Sequence, residues 1–435
     1  MLKYIISSII AFVALNAQEA NIGQNTQESM QSLEDMILLP PLTLDDIEDD
    51  DTDIHHNHDH NHDNLTQYGF SGHIGVFNKT NLGKTKDNYN AFSASLGLTY
   101  SLQNTLFFGL GIYAITPLYE YPKYNAIKNY IDTKFLTNTA YIKYAGDSFF
   151  DITAGRYHED RDWLKHYVQG IGVDVRYDLF EVWANWVDDQ AHANREHVSN
   201  FDIYKDAYGG EFLWAAGITL NIPYMTIAPY YYAMNKFFWS VGGKLESKLV
   251  KKEGFGYTTT LHYAYLNSKI DNLEGNHSHD HSHSNLAGDS SIIWFDQEIN
   301  YSFKNGSLLF GGGYVQVWKS YFELASIGNM SRFETHSHQA YDVIEPGGID
   351  NGINTSNMFN ANTRTFYGFV GTEIKKVALM ALLRNSKGNK ITQNSYSLGF
   401  RWNVTLGVNI GGIGAYMTKN KKNLSFLKGY IEFKI

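Results

Sequence analysis

The sequence predicts an all-β protein, a transmembrane antiparallel β-barrel of about 18 strands with 16 as the alternative count, preceded by a disordered N-terminal extension. Three observations carry that prediction. The last twelve residues, LSFLKGYIEFKI, alternate Leu427, Gly429, Ile431, Phe433 and Ile435 with Lys428, Tyr430, Glu432 and Lys434, one greasy face against one polar face. The composition is aromatic but not apolar: 31 Tyr and 26 Phe stand beside a mean hydropathy of -0.33. That average excludes a helical bundle in a membrane, whereas amphipathic rings suit the two interfacial girdles of a barrel. Finally, tight turns alternate with connections that are mostly longer, an ordering that a soluble sandwich has no reason to adopt.

Read from its start, the chain opens with Lys3, an apolar run from Ile5 to Leu15 and a small residue at Ala17, so residues 1–17 are expected to be a signal peptide. No cysteine follows it or occurs anywhere else, which excludes a lipoprotein signal. Residues 18–64 form an acidic, histidine-rich segment that includes DDIEDDDTDIHHNHDHNHDN. It carries too little apolar surface to offset the entropy of ordering, and is expected to be flexible unless something binds it. Residues 65–435 are assigned to the barrel.

In that barrel, period-two runs of tilted-strand length cover roughly 67–77, 91–102, 105–114, 133–144, 148–156, 168–177, 179–188, 211–220 and 224–233. They continue at 238–249, 256–268, 292–303, 308–320, 365–373, 377–385, 393–403, 405–416 and 424–435. Tight turns are expected at Gln103–Asn104, Ala145–Asp147, Asp178, Asn221–Pro223, Val250–Gly254, Lys304–Gly306, Lys375–Lys376 and Val404. Alternation then sets the faces. Ile171, Val173, Val175 and Tyr177 are directed to lipid, which turns Asp174 and Arg176 inward; Phe180, Val182, Ala184 and Trp186 leave Glu181 inside. Equivalent reasoning gives lumen positions to Lys244, Glu246, Lys248, Asp296, Glu298, Arg384 and Arg401, because a charge on the lipid face costs about 2–4 kcal/mol at mid-depth. The inner charges have both signs, so the sequence assigns the bore neither cation nor anion selectivity.

The block GRYHEDRDWLKHYVQGIGVDVRYDLFEVWANWVDD, with AYGGEFLWAAGITLNIPYMTIAPYYYAMNKFFWSVGGK after it, resembles the Helicobacter outer membrane protein family often called Hof. The resemblance runs from about Tyr68 to Ile435 and is densest between Tyr130 and Lys244. It implies a porin-like protein of the bacterial outer membrane, similar in architecture to eighteen-stranded substrate-specific porins, with no catalytic residue carried over. The histidine tracts depart from the family pattern.

Two local features suggest sites. The third outer connection, about Arg156 to Tyr167, gathers Arg156, His158, Glu159, Asp160, Arg161 and Asp162, and by analogy with porins it is expected to fold inward and narrow the bore, the plainer reading being a solvated loop of paired charges. Of 17 histidines, eleven lie in three tracts: His55, His56, His58, His60 and His62; His277, His279, His281 and His283; His336 and His338. Residues two apart on an extended chain share a side, so imidazoles spaced this way can close weakly on nickel, zinc or copper; the plainer reading is a soluble, mobile loop. His192 and His197, beside Asp188 and Asp189, form a further candidate pair, and His73 and His262 are read as lumen or network residues.

A passive or mildly selective channel for small hydrophilic solutes or ions is therefore expected, with a metal-binding surface protein as the alternative and an adhesin as a lesser one. No cofactor is required by this reading. Its partners are outer-membrane lipid, the barrel assembly machinery and small solutes, with the oligomer left between monomer and trimer. An enzyme is not expected, for want of a local serine signature such as GxSxG, and a net charge of -10 argues against nucleic acid.

Overall fold

The computed structural model describes residues 66–82, 88–124, 131–146, 149–195, 197–249, 253–268, 288–327, 349–350, 353–354, 357–389, 392–405 and 407–434. The segments assigned above to the signal peptide and the acidic extension lie outside these residues. Eighteen strands form one sheet. They are β1 Thr66–Asn81, β2 Asn88–Leu102, β3 Leu106–Tyr121, β4 Phe135–Gly146, β5 Phe150–Arg161 and β6 Leu164–Tyr177. Next come β7 Phe180–Ala191, β8 Leu213–Ile222, β9 Met225–Met234, β10 Phe238–Leu249, β11 Gly254–Ser268 and β12 Ser290–Phe303. The last six are β13 Gly306–Lys319, β14 Arg364–Ile374, β15 Val377–Lys387, β16 Thr392–Thr405, β17 Val408–Lys419 and β18 Lys422–Lys434.

Each strand pairs antiparallel with its neighbour in sequence, and β18 also pairs with β1, from His73 opposite Lys434 to Asn81 opposite Phe426, which closes the cylinder. Each predicted run corresponds to one strand. Several strands continue past the predicted ends, as β1 does to Asn81 and β3 to Tyr121, because backbone pairing persists above the hydrocarbon layer where the lipid-facing apolar signal stops. The tight turns use left-handed residues: Gln103 and Asn104 at one end of the barrel, Asn420 and Lys421 at the other, all with φ near +50° to +70°. That backbone twist matches the twist of the flanking strands.

The wall has the two faces that alternation requires. Phe70, Ile142, Tyr177, Leu398 and Ile431 are exposed on the outside, whereas Ser71, Lys143, Ser397 and Glu432 are buried on the inside. The lumen also holds a packed core. Trp163 and Leu164 at the β5–β6 tip, Tyr204 and Tyr208 of helix α1 (Ile203–Tyr208), and Phe322, Leu324, Ile327, Met358 and Phe359 of the β13–β14 connection cluster with wall residues such as Tyr230, Tyr232 and Trp294. Burial of these side chains offsets the ordering entropy of the inward segments.

The stretch Arg156–Tyr167 differs from the loop expected. It is an ordered hairpin, with Arg156 opposite Gln169 and Arg161 opposite Leu164, leaving only Asp162 and Trp163 as the turn. Pairing of β4 with β5 stops at Ala140 and Arg156, so the β5 arm leaves the wall there, while the β6 arm stays paired with β7 as far as Tyr167 and Ala191. Gly155 makes the bend: its φ is +118°, and a Cβ there would lie 2.2 Å from the carbonyl oxygen of Ala140. On the return strand the β6–β7 register shifts between Gln169 and Gly170, and a Cβ at Gly170 would lie 2.0 Å from the carbonyl oxygen of Trp186. Charge-rich composition concealed this ladder, because both faces of a hairpin standing in a wet lumen can be polar.

Candidate functional site

The hairpin leans over the inside of the wall from β5–β7 to β9–β11. Charge fixes it next to the turn: the Arg161 guanidinium meets Asp174, lies 2.6 Å from Glu181 and 3.5 Å from Glu159, and sits 5.2 Å from the Trp183 ring centre. Its tip reaches the β9–β11 arc of the wall. Asp162 accepts from the Lys244 ammonium at 2.8 Å, and its backbone oxygen accepts from the Tyr232 hydroxyl. Burial alone would raise the Asp162 carboxyl, but the ammonium of Lys244 beside it outweighs that and holds it below the usual carboxylate range. Trp163 is fully buried, donates its indole N–H to the Tyr230 hydroxyl at 2.7 Å, and packs on Phe322, His262 and Phe359. His262 in turn hydrogen-bonds Tyr230.

The other residues predicted for this stretch have different surroundings. Arg156 donates to the Gln169 side chain at 2.9 Å and to the Thr137 carbonyl at 3.2 Å, with its guanidinium over the Phe201 ring. His158 meets Tyr167 edge-on across the hairpin, and the Asp160 backbone N–H donates to Glu159.

A second segment, the β7–β8 connection, crosses toward the seam where the cylinder closes. Arg195 bonds Glu432 at 2.9 Å and stacks 3.5 Å above the Tyr430 ring, while Ile131 and Val198 form an isolated parallel bridge. Asp189 anchors α1 from the side, accepting from the backbone N–H of Tyr204 at 2.8 Å. Asp202, just before the helix, is pushed up to about 6 by burial and by the neighbouring carboxylates of Asp132, Asp206 and Asp189, with Lys205 opposing. His197 is pushed down to about 4 by burial, which Asp132 only partly offsets.

The predicted lumen charges lie on inward faces. Asp174, Arg176, Glu181, Lys244, Glu246, Lys248, Asp296, Glu298, Arg384 and Arg401 are buried or half-buried, and alternate with exposed Tyr177, Val182, Leu245, Phe295, Leu383 and Trp402. Several are paired: Arg176 with Asp151 at 2.8 Å, and Arg401 with Glu373 at 3.9 Å. Lys143 also reaches Asp151, at 3.0 Å. His73 is held by Ser95, Ser93 and Tyr113 in a hydrogen-bonded network. The ring of His192 lies 5.2 Å from His197 and 4.0 Å from His166, yet no group of three acidic or histidine side chains among the described residues has the arrangement of a metal site. The three histidine tracts, His55 to His62, His277 to His283 and His336 to His338, lie outside the described residues.

Sequence reading did not single out Trp163, Arg195, Tyr230, Phe322 or Phe359. The signal for the aromatic members was a set of large apolar side chains in outer connections, where solvated loops would not place them. Arg195 had no such signal, because its partner Glu432 sits at the other end of the chain.

A closed barrel with an apolar exterior, a charged interior and inward-folded connections defines an outer-membrane protein with the porin type of fold. The chain belongs to the Helicobacter family described as "Putative outer membrane protein", whose model it matches over residues 50–422. No curated protein matches the sequence. Among solved structures, it is similar to OccAB4 of Acinetobacter baumannii, at 10% identity over 87% of this chain and 100% of that one, with a TM-score of 0.59. It is similar also to the outer membrane protein OpdK of Pseudomonas aeruginosa, at 11% identity over 85% of this chain and 98% of that one, with a TM-score of 0.61. OccK3 of the same organism matches at 12% identity over 85% and 95% of the two chains, with a TM-score of 0.55. At such identities the likeness concerns the fold.

Proposed function

We propose that the protein is a passive outer-membrane channel for small hydrophilic solutes or ions, narrowed where the β5–β6 hairpin crosses its lumen. The observation that carries the reading is the hairpin tip itself, with Asp162 bound to Lys244 and Trp163 buried in the lumen against Tyr230 and Phe322. An eighteen-stranded cylinder is too wide for wall side chains alone to fill, so a segment laid across it sets the bore. Arg161 with its three carboxylates then places a fixed field where a solute passes. The resemblance to OccAB4 and OpdK supports the same reading at the level of architecture.

Planar-bilayer recording of the purified full chain tests it. Steady ohmic steps are the expected result, and a variant with the turn shortened by deleting Asp162 and Trp163 should conduct more. Absence of steps from correctly folded barrel would overturn the reading.

The alternating histidines of the three tracts support a second reading, weak and exchangeable capture of nickel, zinc or copper by neutral imidazole. Micromolar copper should then quench tryptophan fluorescence reversibly. Equal quenching after all eleven tract histidines are replaced by serine would remove it.

A further inference from the structure

Arg364 opens β14 and Lys387 ends β15, at the end of the barrel that carries the longer connections, and the two stand directly opposite each other in the ladder. Both fall on the outward face. Arg364 shares it with Phe366 and Val370, Lys387 shares it with Leu383 and Leu379, and all six side chains are exposed. Opposed residues of an antiparallel pair have Cβ atoms about 5 Å apart, so the two cations repel each other. Their other cross-strand neighbours are neutral, Gln316 beside Arg364 and Thr392 beside Lys387. Nε of Arg364 donates to the Gln316 side chain at 3.1 Å, a contact that does not compensate its charge.

No carboxylate among the described residues pairs with either cation. Two lysines at the same end of the barrel differ: Lys319 lies 3.5 Å from Asp289, and Lys236 is bound to Glu211. Beneath Arg364 and Lys387 the outer face soon turns apolar. Phe366 is 58% exposed and lies 4.7 Å from the Tyr314 ring, while Leu383 is 56% exposed, with only Asn385 between it and Lys387 on this face. A partner that satisfies this surface carries negative charge at the level of the two cations and apolar surface below them. A soluble anion lacks the second feature, and a neutral acyl chain lacks the first. A phosphorylated lipid has both, since phosphate oxygens match the forked guanidinium, the neighbouring ammonium adds a point charge, and acyl chains run down past Phe366 and Leu383.

We propose that Arg364 and Lys387 form a docking site, on the outside of the barrel, for the phosphate of a phosphorylated lipid in the outer leaflet. The site faces away from the lumen, so it depends on the outer-membrane setting of the barrel and not on the channel reading.

The probe is diphosphoryl lipid A, compared with the same lipid stripped of its phosphates and with inorganic phosphate, added to the full-length barrel in a neutral detergent and counted by native mass spectrometry. The wild-type barrel should retain diphosphoryl lipid A, and the apparent association constant should fall at least tenfold when Arg364→Gln and Lys387→Gln are combined. Lys375→Gln with Lys376→Gln makes the same change of charge on the tight turn at the opposite end, and should leave retention within about twofold of wild type. Arg364→Lys keeps the charge but loses the fork, and should weaken retention severalfold. Heat-modifiable migration identifies variants that fold. Equal retention of the dephosphorylated lipid would reduce the contact to apolar adhesion, and release of lipid A by equimolar inorganic phosphate would make the site one for a soluble anion. An equal loss in the two double variants would leave only general charge attraction. Each of these results overturns the proposal, as does wild-type retention in the folded Arg364→Gln and Lys387→Gln double variant.

Discussion

Truncation of Trp163 to alanine should free the hairpin tip while the cylinder stays closed. The indole is fully buried, stacks on Phe322 at 5.2 Å and on His262 at 5.6 Å, and donates to Tyr230 at 2.7 Å. Loss of a core tryptophan costs about 3–5 kcal/mol, and the hydrogen bond left open on Tyr230 adds about 1 kcal/mol. Nothing in the strand ladders depends on this side chain, so the loss falls on docking of the tip. With each 1.36 kcal/mol a factor of ten, the local opening constant should rise by about three to four orders of magnitude. Hydrogen exchange followed by mass spectrometry, on peptides covering residues 157–168, reads that change directly. Conductance should increase in parallel and become noisier, because only the bonds of Asp162 to Lys244 and Tyr232 then retain the tip. A change in exchange of less than tenfold, with the variant folded, would refute the idea that the indole is what docks the hairpin.

Three other outcomes follow from the same geometry. Arg161→Gln leaves Glu159, Asp174 and Glu181 without their shared guanidinium, so the reversal potential in a potassium chloride gradient should move toward cation selectivity; a shift toward anions would contradict the assigned contacts. Gly155→Val, at a φ of +118° and with its Cβ driven against Ala140, should sharply reduce the heat-modifiable fraction, whereas Gly368→Ala, which meets only an ordinary contact at 3.6 Å, should not. Acidification should act on the β7–β8 connection through two opposed groups. Between pH 6.5 and about 4 the released connection binds a proton that docked His197 refuses, so docking loses up to about 3 kcal/mol as pH falls. Docked Asp202 binds its proton below about 6 and the released form only below 3.8, so this group strengthens docking over that window. In His197→Gln the opposing histidine is gone, and protection factors in residues 192–208, corrected for the intrinsic slowing of exchange by acid, should rise on acidification; a fall would reverse the assignment.

The wall was legible because its physics is local. Lipid on one side and water on the other force a period of two, and Leu427, Ile431 and Phe433 against Tyr430 and Glu432 show that period without help from distant residues. The inward segments were much less so. Arg161 reads as one charge among many until the hairpin bends at Gly155 and sets it against Asp174 and Glu181, and a glycine in a strand has several meanings. The dozen residues from Arg156 to Tyr167 were expected as a loop because alternation was sought as apolar against polar, and a hairpin with lumen on both sides carries no such contrast. Arg195 and Glu432, or Gln190 with the backbone of Ile327, meet across the interior, and one sequence contains no signal for pairing at that distance.

Closure between β1 and β18 has a consequence for how the molecule comes into being. Every other ladder joins strands that are neighbours in the chain, and can form as a local hairpin. The last ladder joins opposite ends, so an intermediate with all its hairpins made still carries two open edges, each a row of unsatisfied amides and carbonyls in a solvent that offers nothing in return. Arg195 reaches the final strand beside this seam, bonding Glu432 and covering Tyr430. The lumen segment that occupies the bore thus also holds the last strand at the joint whose formation marks the end of assembly, and weakening that contact should lengthen the life of the open-edged intermediate before it affects the finished cylinder.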